Sequence, residues 1–235
     1  MLVGHISKAF DGDLGALHLR VLAMGGLVLD QVRLAGHAYT DWDVPAATLV
    51  IERASAVNAY ETIISEDQFT LIARRAPVAS DLRAIIALSK VASQLARAGG
   101  EARKIARSVV QQADRPARSA GADGRHLAEL TVNLLRSALE ALDRLDGPVA
   151  SDVIAQDPEL DDEYAAGLRL LMGRTMEDPR DFEVALEAAF VLKSLERIGD
   201  HACEVARQVL TVQPHSPPGQ PASGMQTPTS PSASA

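Results

Sequence analysis

Leu195-Glu196-Arg197-Ile198-Gly199-Asp200-His201-Ala202-Cys203-Glu204-Val205-Ala206-Arg207 places apolar side chains at Leu195, Ile198, Ala202 and Val205. Spacing by three and four is the period of an amphipathic helix, so the stretch predicts the middle of a long helix with one face in a core. Glu196 and Asp200 then stand about one turn apart on a common face. The strip is read as holding no Lys or Arg three or four places from either acid, so the like charges are expected to cost roughly 0.2–0.5 kcal/mol. Two readings stay open: a solvated acidic face, or carboxylates neutralised by a metal ion.

Working outward, the chain repeats itself. Asp81-Leu82 to Leu95 has the same length as Asp181-Phe182 to Leu195, 100 residues later, and Arg97, Gly99, Ala106 and Arg107 meet Arg197, Gly199, Ala206 and Arg207. Upstream, Val50-Ile51 matches Val153-Ile154 at a shift of 103. At that shift Ala54 and Asn58 fall on Asp157 and Asp161, a second acidic pair spaced by four. A short connection near Glu177-Asp178-Pro179 makes the last two helices antiparallel, so Asp157 and Asp161 can face Glu196 and Asp200. Unit charges about 5 Å apart repel by roughly 3 kcal/mol at an effective dielectric near 20, a strain relieved by protonation, exposure or a bound cation. All-oxygen ligation suits magnesium, calcium, manganese or ferrous iron. In the first half Ala54, Asn58, Ala96 and Gly100 hold the matching positions, so the metal expectation is confined to the second half. Glu52, Glu61, Glu66, Asp81 and Glu101 read there as solvated-face or helix-capping residues, with Asp81 in a helical first turn. His201, one residue past Asp200, reads as an interhelix or surface hydrogen-bonding group, with zinc or iron favoured if it were an extra ligand. His5, His18, His37 and His126 read as surface residues.

Prolines punctuate the helical periods. Pro45, Pro77, Pro116, Pro148 and Pro179 sit near breaks and delimit six helices at 4–40, 44–75, 79–112, 123–146, 149–177 and 180–212. Pro158 predicts a kink in the fifth helix, the other reading being a helix start capped by Asp157. Met24-Gly25-Gly26 in the first helix, and Gly99 and Gly199 in the third and sixth, predict close helix approach, since each glycine costs about 1 kcal/mol in helix propensity. The expected fold is all-α: two tandem antiparallel three-helix bundles related by a pseudo-twofold. The divisions are residues 1–113, 122–213 and a Pro/Ser-rich tail at 214–235, which has no Asp, Glu, Lys or Arg and is expected to be disordered.

With 47% hydrophobic and 3% aromatic residues the core is Ala, Leu, Val and Ile, suited to closely packed helices. A net charge of −8 gives no long-range attraction for nucleic acid or an anionic membrane. Met1 to Gly15 has no continuous apolar stretch of a secretory leader, and Val21 to Leu29 is about half the length of a membrane span. Cys203, the single cysteine, cannot form an internal disulfide and reads as a core residue. A soluble cytoplasmic protein without membrane insertion is expected.

Glu196-Arg197-Ile198-Gly199-Asp200-His201 resembles the signature of the PhoU family. So do the opening His5-Ile6-Ser7-Lys8-Ala9-Phe10-Asp11, Val78-Ala79-Ser80-Asp81-Leu82-Arg83 and Met176-Glu177-Asp178-Pro179-Arg180. The resemblance runs from His5 to about Val212. It implies a two-repeat, six-helix regulator that is not an enzyme and represses the phosphate-starvation regulon. Such a protein links the ATPase subunit of the phosphate ABC transporter to a sensor histidine kinase, with a homodimer expected. It also implies that Asp157, Asp161, Glu196 and Asp200 bind a divalent metal (iron, manganese, zinc or magnesium), in the second repeat only. The rival is a helical-bundle metalloprotein or carboxylate-bridged metal enzyme; such centres favour Glu-x-x-His motifs, which this sequence lacks.

Overall fold

The computed structural model describes residues 8–77, 79–113 and 124–212. Its elements are α1 (Lys8–Asp41), α2 (Val44–Arg75), α3 (Ala79–Gln111), α4 (Arg125–Arg144), α5 (Gly147–Ala155), α6 (Asp157–Glu177) and α7 (Phe182–Val212). A 3₁₀ turn, Pro179–Asp181, joins α6 to α7. No strand occurs among the described residues. The expected tail and most of the expected linker lie outside them.

The turns repeat as the helices do. After α1, Trp42 takes a left-handed φ of 57°, and the Asp43 N–H donates to Ala38 O at 2.9 Å. Asp43 Oδ1 then accepts the Ala46 N–H at 2.9 Å, with Pro45 in the opening turn of α2. These contacts satisfy helix-end groups that would otherwise be orphaned. In the second half Leu145 has φ 51°, the Asp146 N–H donates to Ala141 O at 2.9 Å, and Asp146 Oδ1 accepts the Val149 N–H at 3.1 Å. Each residue stands 103 places after its counterpart.

The fifth expected helix starts at Gly147, two residues early, and is interrupted at Gln156. Gln156 keeps right-handed helical dihedrals (φ −86°, ψ −10°), so the chain bends there without leaving the helical region. Pro158 has no N–H to offer Ile154 O, which opens the ladder on that turn. Asp157 is already inside α6 and does not cap it.

The bundle of α1, α2 and α3 meets the bundle of α4, α5–α6 and α7 through α3 on α7 and α1 on α4. Contacts from Gln94 to His201, Glu101 to Arg197 and Ser108 to Glu187 show that α3 and α7 run antiparallel. Along the other seam Gly25 faces Leu139 and Gly36 faces Ala128. A shift of 103 turns each of those pairs into the other, the signature of a pseudo-twofold axis between the halves. A Cβ on Gly25 would lie 2.5 Å from Leu139 Cδ2, whereas Gly26 has nothing within 4 Å, so only the first of the two glycines serves close approach.

Helix α1 is long and apolar enough to cross a membrane by length and composition. Here Leu14, Leu17, Val21, Met24, Val28 and Val32 are all buried in the shared core. Burial of each such side chain contributes about 1.5–3 kcal/mol, while Leu19 on the same helix is 68% exposed.

Candidate functional site

The fifth and last helical legs bring the expected acids within range of one another's charge. Gly199 lets α7 close on α6, because a Cβ there would collide with Leu160, one turn after Asp157. Asp200 lies at the exposed edge. Its carboxyl is pushed above the usual range, first by burial and then by the charges of Glu196, Asp157 and Asp161, with Lys193 acting in the opposite direction. All four acids therefore share one electrostatic field.

They do not stand unanswered. Lys193, three residues before Glu196, places Nζ 2.6 Å from both oxygens of that buried carboxylate and 5.2 Å from the centre of the Tyr164 ring. The hydrogen bond to Glu196 is the main cause of an upward shift at Lys193. This corrects the reading of an acidic pair with no cation on its strip. Arg207 Nη2 lies 3.7 Å from Asp157 Oδ2, and Cys203 Sγ donates to Asp157 Oδ1 at 3.3 Å. Cys203 is buried as expected, and burial, the Asp157 hydrogen bond and the Asp157 charge push its thiol up to about 12. Asp161 is exposed.

Among the described residues, no group of three or more His, Cys, Asp or Glu side chains is arranged to hold a metal ion. The donor chemistry of Asp157, Asp161, Glu196 and Asp200 fits a hard divalent cation. In the described arrangement, however, Lys193 and Arg207 supply the neutralising charge.

The first half departs from its solvated-face reading at Glu101, which is only 7% exposed, whereas Asp81, equally buried, stands in the first turn of α3 as expected. Glu101 Oε1 accepts from Lys104 Nζ at 2.7 Å and lies 3.7 Å from Arg197 Nη1, while Oε2 is buried with no hydrogen-bond partner. Glu101 therefore ties α3 to α7 and is no surface acid. Glu52 and Glu66 are exposed, as expected.

His201 fulfils its interhelix reading: Nδ1 is 2.8 Å from Gln94 Oε1 on α3. Burial lowers its pKa against the charge of Glu101, assisted by Arg97, Arg197 and Lys104. His18, expected at the surface, is partly buried with Nε2 3.1 Å from Leu142 O. The cause is α4 packing over α1 at that level. His37 is exposed beside Asp41 at 3.1 Å, and His126 is exposed. His5 lies outside the described residues.

Sequence reasoning missed Glu101, Lys193, Arg207 and Gln94. The i, i+3 spacing of Lys193 and Glu196, and of Glu101 and Lys104, was a readable signal. The cross-helix partners carried none.

A family model, the PhoU domain, matches residues 21–109 and again residues 125–209. The chain is 40% identical over 210 residues to the phosphate-specific transport system accessory protein PhoU homolog of Pseudomonas putida, covering 89% of this chain and 82% of that one. It is 35% identical over 196 residues to the phosphate-specific transport system accessory protein PhoU of Escherichia coli K12, covering 83% and 81%. The crystal structure of PhoU from Pseudomonas aeruginosa superposes with a TM-score of 0.83 at 38% identity, over 86% of this chain and 98% of that one. The phosphate transport system regulatory protein PhoU from Streptococcus pneumoniae gives 0.79 at 25% identity, over 86% and 96%. With both repeats matched in order and the two-bundle fold shared, the chain belongs to the PhoU family.

Proposed function

We propose that this chain is a cytoplasmic, phosphate-responsive adaptor that restrains the phosphate-starvation regulon and phosphate uptake. In this reading it links the ATPase subunit of the phosphate ABC transporter to a sensor histidine kinase and works as a homodimer rather than as an enzyme. Its working parts are the repeats at 1–113 and 122–213, with the segment 214–235 dispensable. The observation that supports it is the match across both repeats to proteins named as accessory to phosphate-specific transport. Deleting the chain should switch on phosphate-starvation genes in phosphate-replete cells, while removing residues 214–235 should leave repression in place. Normal repression in the deletion strain would sink the adaptor reading.

Divalent metal binding by the second half belongs to the same proposal, with Asp157, Asp161, Glu196 and Asp200 as ligands. Its support is the carboxylate field that raises Asp200. A bound ion supplies positive charge that Lys193 and Arg207 otherwise provide. At about a hundred times its dissociation constant, manganese or ferrous iron should stabilise the fold by roughly 2.7 kcal/mol through mass action. The double change Glu196→Ala and Asp200→Ala should abolish the metal-dependent rise in unfolding temperature, and Glu52→Ala should preserve it. An undiminished rise in the double variant rules out these ligands.

A further inference from the structure

Alongside α7 runs a groove of about 450 Å³, open to solvent and walled on its far side by the C-terminal half of α3. Its lining includes Lys104 and Arg107 from α3 and Lys193 and Arg197 from α7, against two acids, Glu101 and Glu187. Cations thus outnumber acids in this groove, although the chain as a whole carries −8. Buried Glu101 anchors two of them, holding Lys104 at 2.7 Å and Arg197 at 3.7 Å against the α3–α7 crossing, and buried Glu196 anchors a third, Lys193, at 2.6 Å.

On the same side of α7 stands an unpartnered apolar row. Phe182, Leu186 and Phe190 follow each other at intervals of four and are 61%, 43% and 61% exposed. Lys193 and Arg197 continue this face, since steps of three and four residues stay on one strip of a helix. From Phe182 to Arg197 is about four turns, or roughly 22 Å. The first half keeps the apolar residue at two of these positions, Leu82 and Ile86, the latter 42% exposed, and differs at the third, where Lys90 stands in place of Phe190. A solitary exposed apolar residue needs no explanation, but a row of them edging a basic groove has the form of a helix-docking surface.

We propose that this groove binds an acidic amphipathic helix of a partner protein. The apolar face of that helix lies on Phe182, Leu186 and Phe190, and its carboxylates meet Lys104, Arg107, Lys193 and Arg197. Charge complementarity selects the occupant, and a groove that is concave from Glu187 to Arg197, with Phe182 and Leu186 extending its α7 wall, fits a helix better than a flat bilayer. The biological role of this surface rests on the adaptor reading. A binding measurement with purified components is independent of the deletion phenotype, so either can fail alone.

The test uses the full chain and two fluorescein-labelled peptides of about 18 residues. Both carry the same Leu/Phe face at i, i+4 and i+8, one flanked by Glu and the other by Lys. Fluorescence anisotropy should show the Glu peptide binding at least about tenfold more tightly than the Lys peptide. This opposes the order that a net charge of −8 alone would impose. Phe190→Ala and Arg107→Glu should each weaken the Glu peptide by about tenfold, with Arg107→Gln intermediate, while Lys90→Glu should change it less than about twofold. Circular dichroism establishes that each variant is folded, and the peptide comparison requires no variant. Equal binding of the two peptides, no binding of the Glu peptide, or indifference to both Phe190→Ala and Arg107→Glu overturns the proposal. Binding to phosphatidylglycerol vesicles in place of the Glu peptide also overturns it and identifies a membrane surface.

Discussion

The two halves keep one skeleton and differ in what they place on it. Gly99 lies against Val57 and Gln31, and Gly199 against Leu160 and Leu134. The neighbours correspond at a shift of 103 while the glycines correspond at 100, so helix crossings survive where the side chains around them have changed. The acids have not survived in both halves. Ala54 and Asn58 replace Asp157 and Asp161, and Ala96 and Gly100 replace Glu196 and Asp200. Packing constrains shape at every crossing, whereas charge at a helix edge is free to diverge.

The comparison is broken most sharply at Cys203, which stands against Asp157 where the first half has Arg103 and Ala54. A thiol pushed up to about 12 is almost entirely protonated at pH 8. Thiolate is the reactive species, so Cys203 should react with a disulfide reagent roughly a thousandfold more slowly than an unfolded-state cysteine. Stopped-flow labelling in native buffer and in guanidinium measures the ratio. Labelling at the free-cysteine rate would show that the contact with Asp157 is open, and with it the pairing of α6 and α7.

Next in size is the contrast between the glycines. A methyl on Gly199 collides with Leu160, which is itself buried, so Gly199→Ala should destabilise by about 1–3 kcal/mol through overpacking. Gly99→Ala meets Val57 Cγ1 at an ordinary 3.4 Å and gains up to about 1 kcal/mol of helix propensity. Urea denaturation of the two variants should therefore give opposite signs. A similar loss in both would mean that the crossings are equally tight.

Periodicity made most of the fold legible. The three- and four-residue spacing located the helices, the prolines located their breaks, and the 100-residue repeat carried the two-bundle plan. The caps at Asp43 and Asp146 were equally readable, as an acid two places before proline in both halves, and supply the reason those prolines begin helices. The packing of α6 against α7 also followed, since a short connection makes those legs antiparallel and puts their acids in one another's field. Their neutralisation did not, for two different reasons. Lys193 was within reach of an i, i+3 reading, whereas Arg207 meets Asp157 across the α6–α7 contact, at a separation of 50 residues. The burial of Glu101 depends on the crossing of α3 and α7, a tertiary fact with no local signature.

The smallest expected effect concerns the joint between the halves at His18. Burial lowers its pKa below 6.5, opposed by the hydrogen bond with Leu142 O and the charge of Asp143. A histidine with a lowered folded pKa binds fewer protons in the native state than in the unfolded one. Stability is then intact above the unfolded value near 6.5 and is lost as pH falls through the lowered folded value. His201 carries a shift of the same sign, so both histidines contribute to an acid-side decline. Asp200 acts oppositely, because a raised carboxyl pKa makes its contribution fall as pH rises above the ordinary carboxylate value. His18→Asn should therefore flatten, without abolishing, the loss of stability as pH falls below about 6.5. Chemical denaturation of wild type and variant across that window reads the difference in slope. Parallel slopes would mean that His18 titrates alike in the folded and unfolded chain, and that α4 does not close over α1 at Leu142.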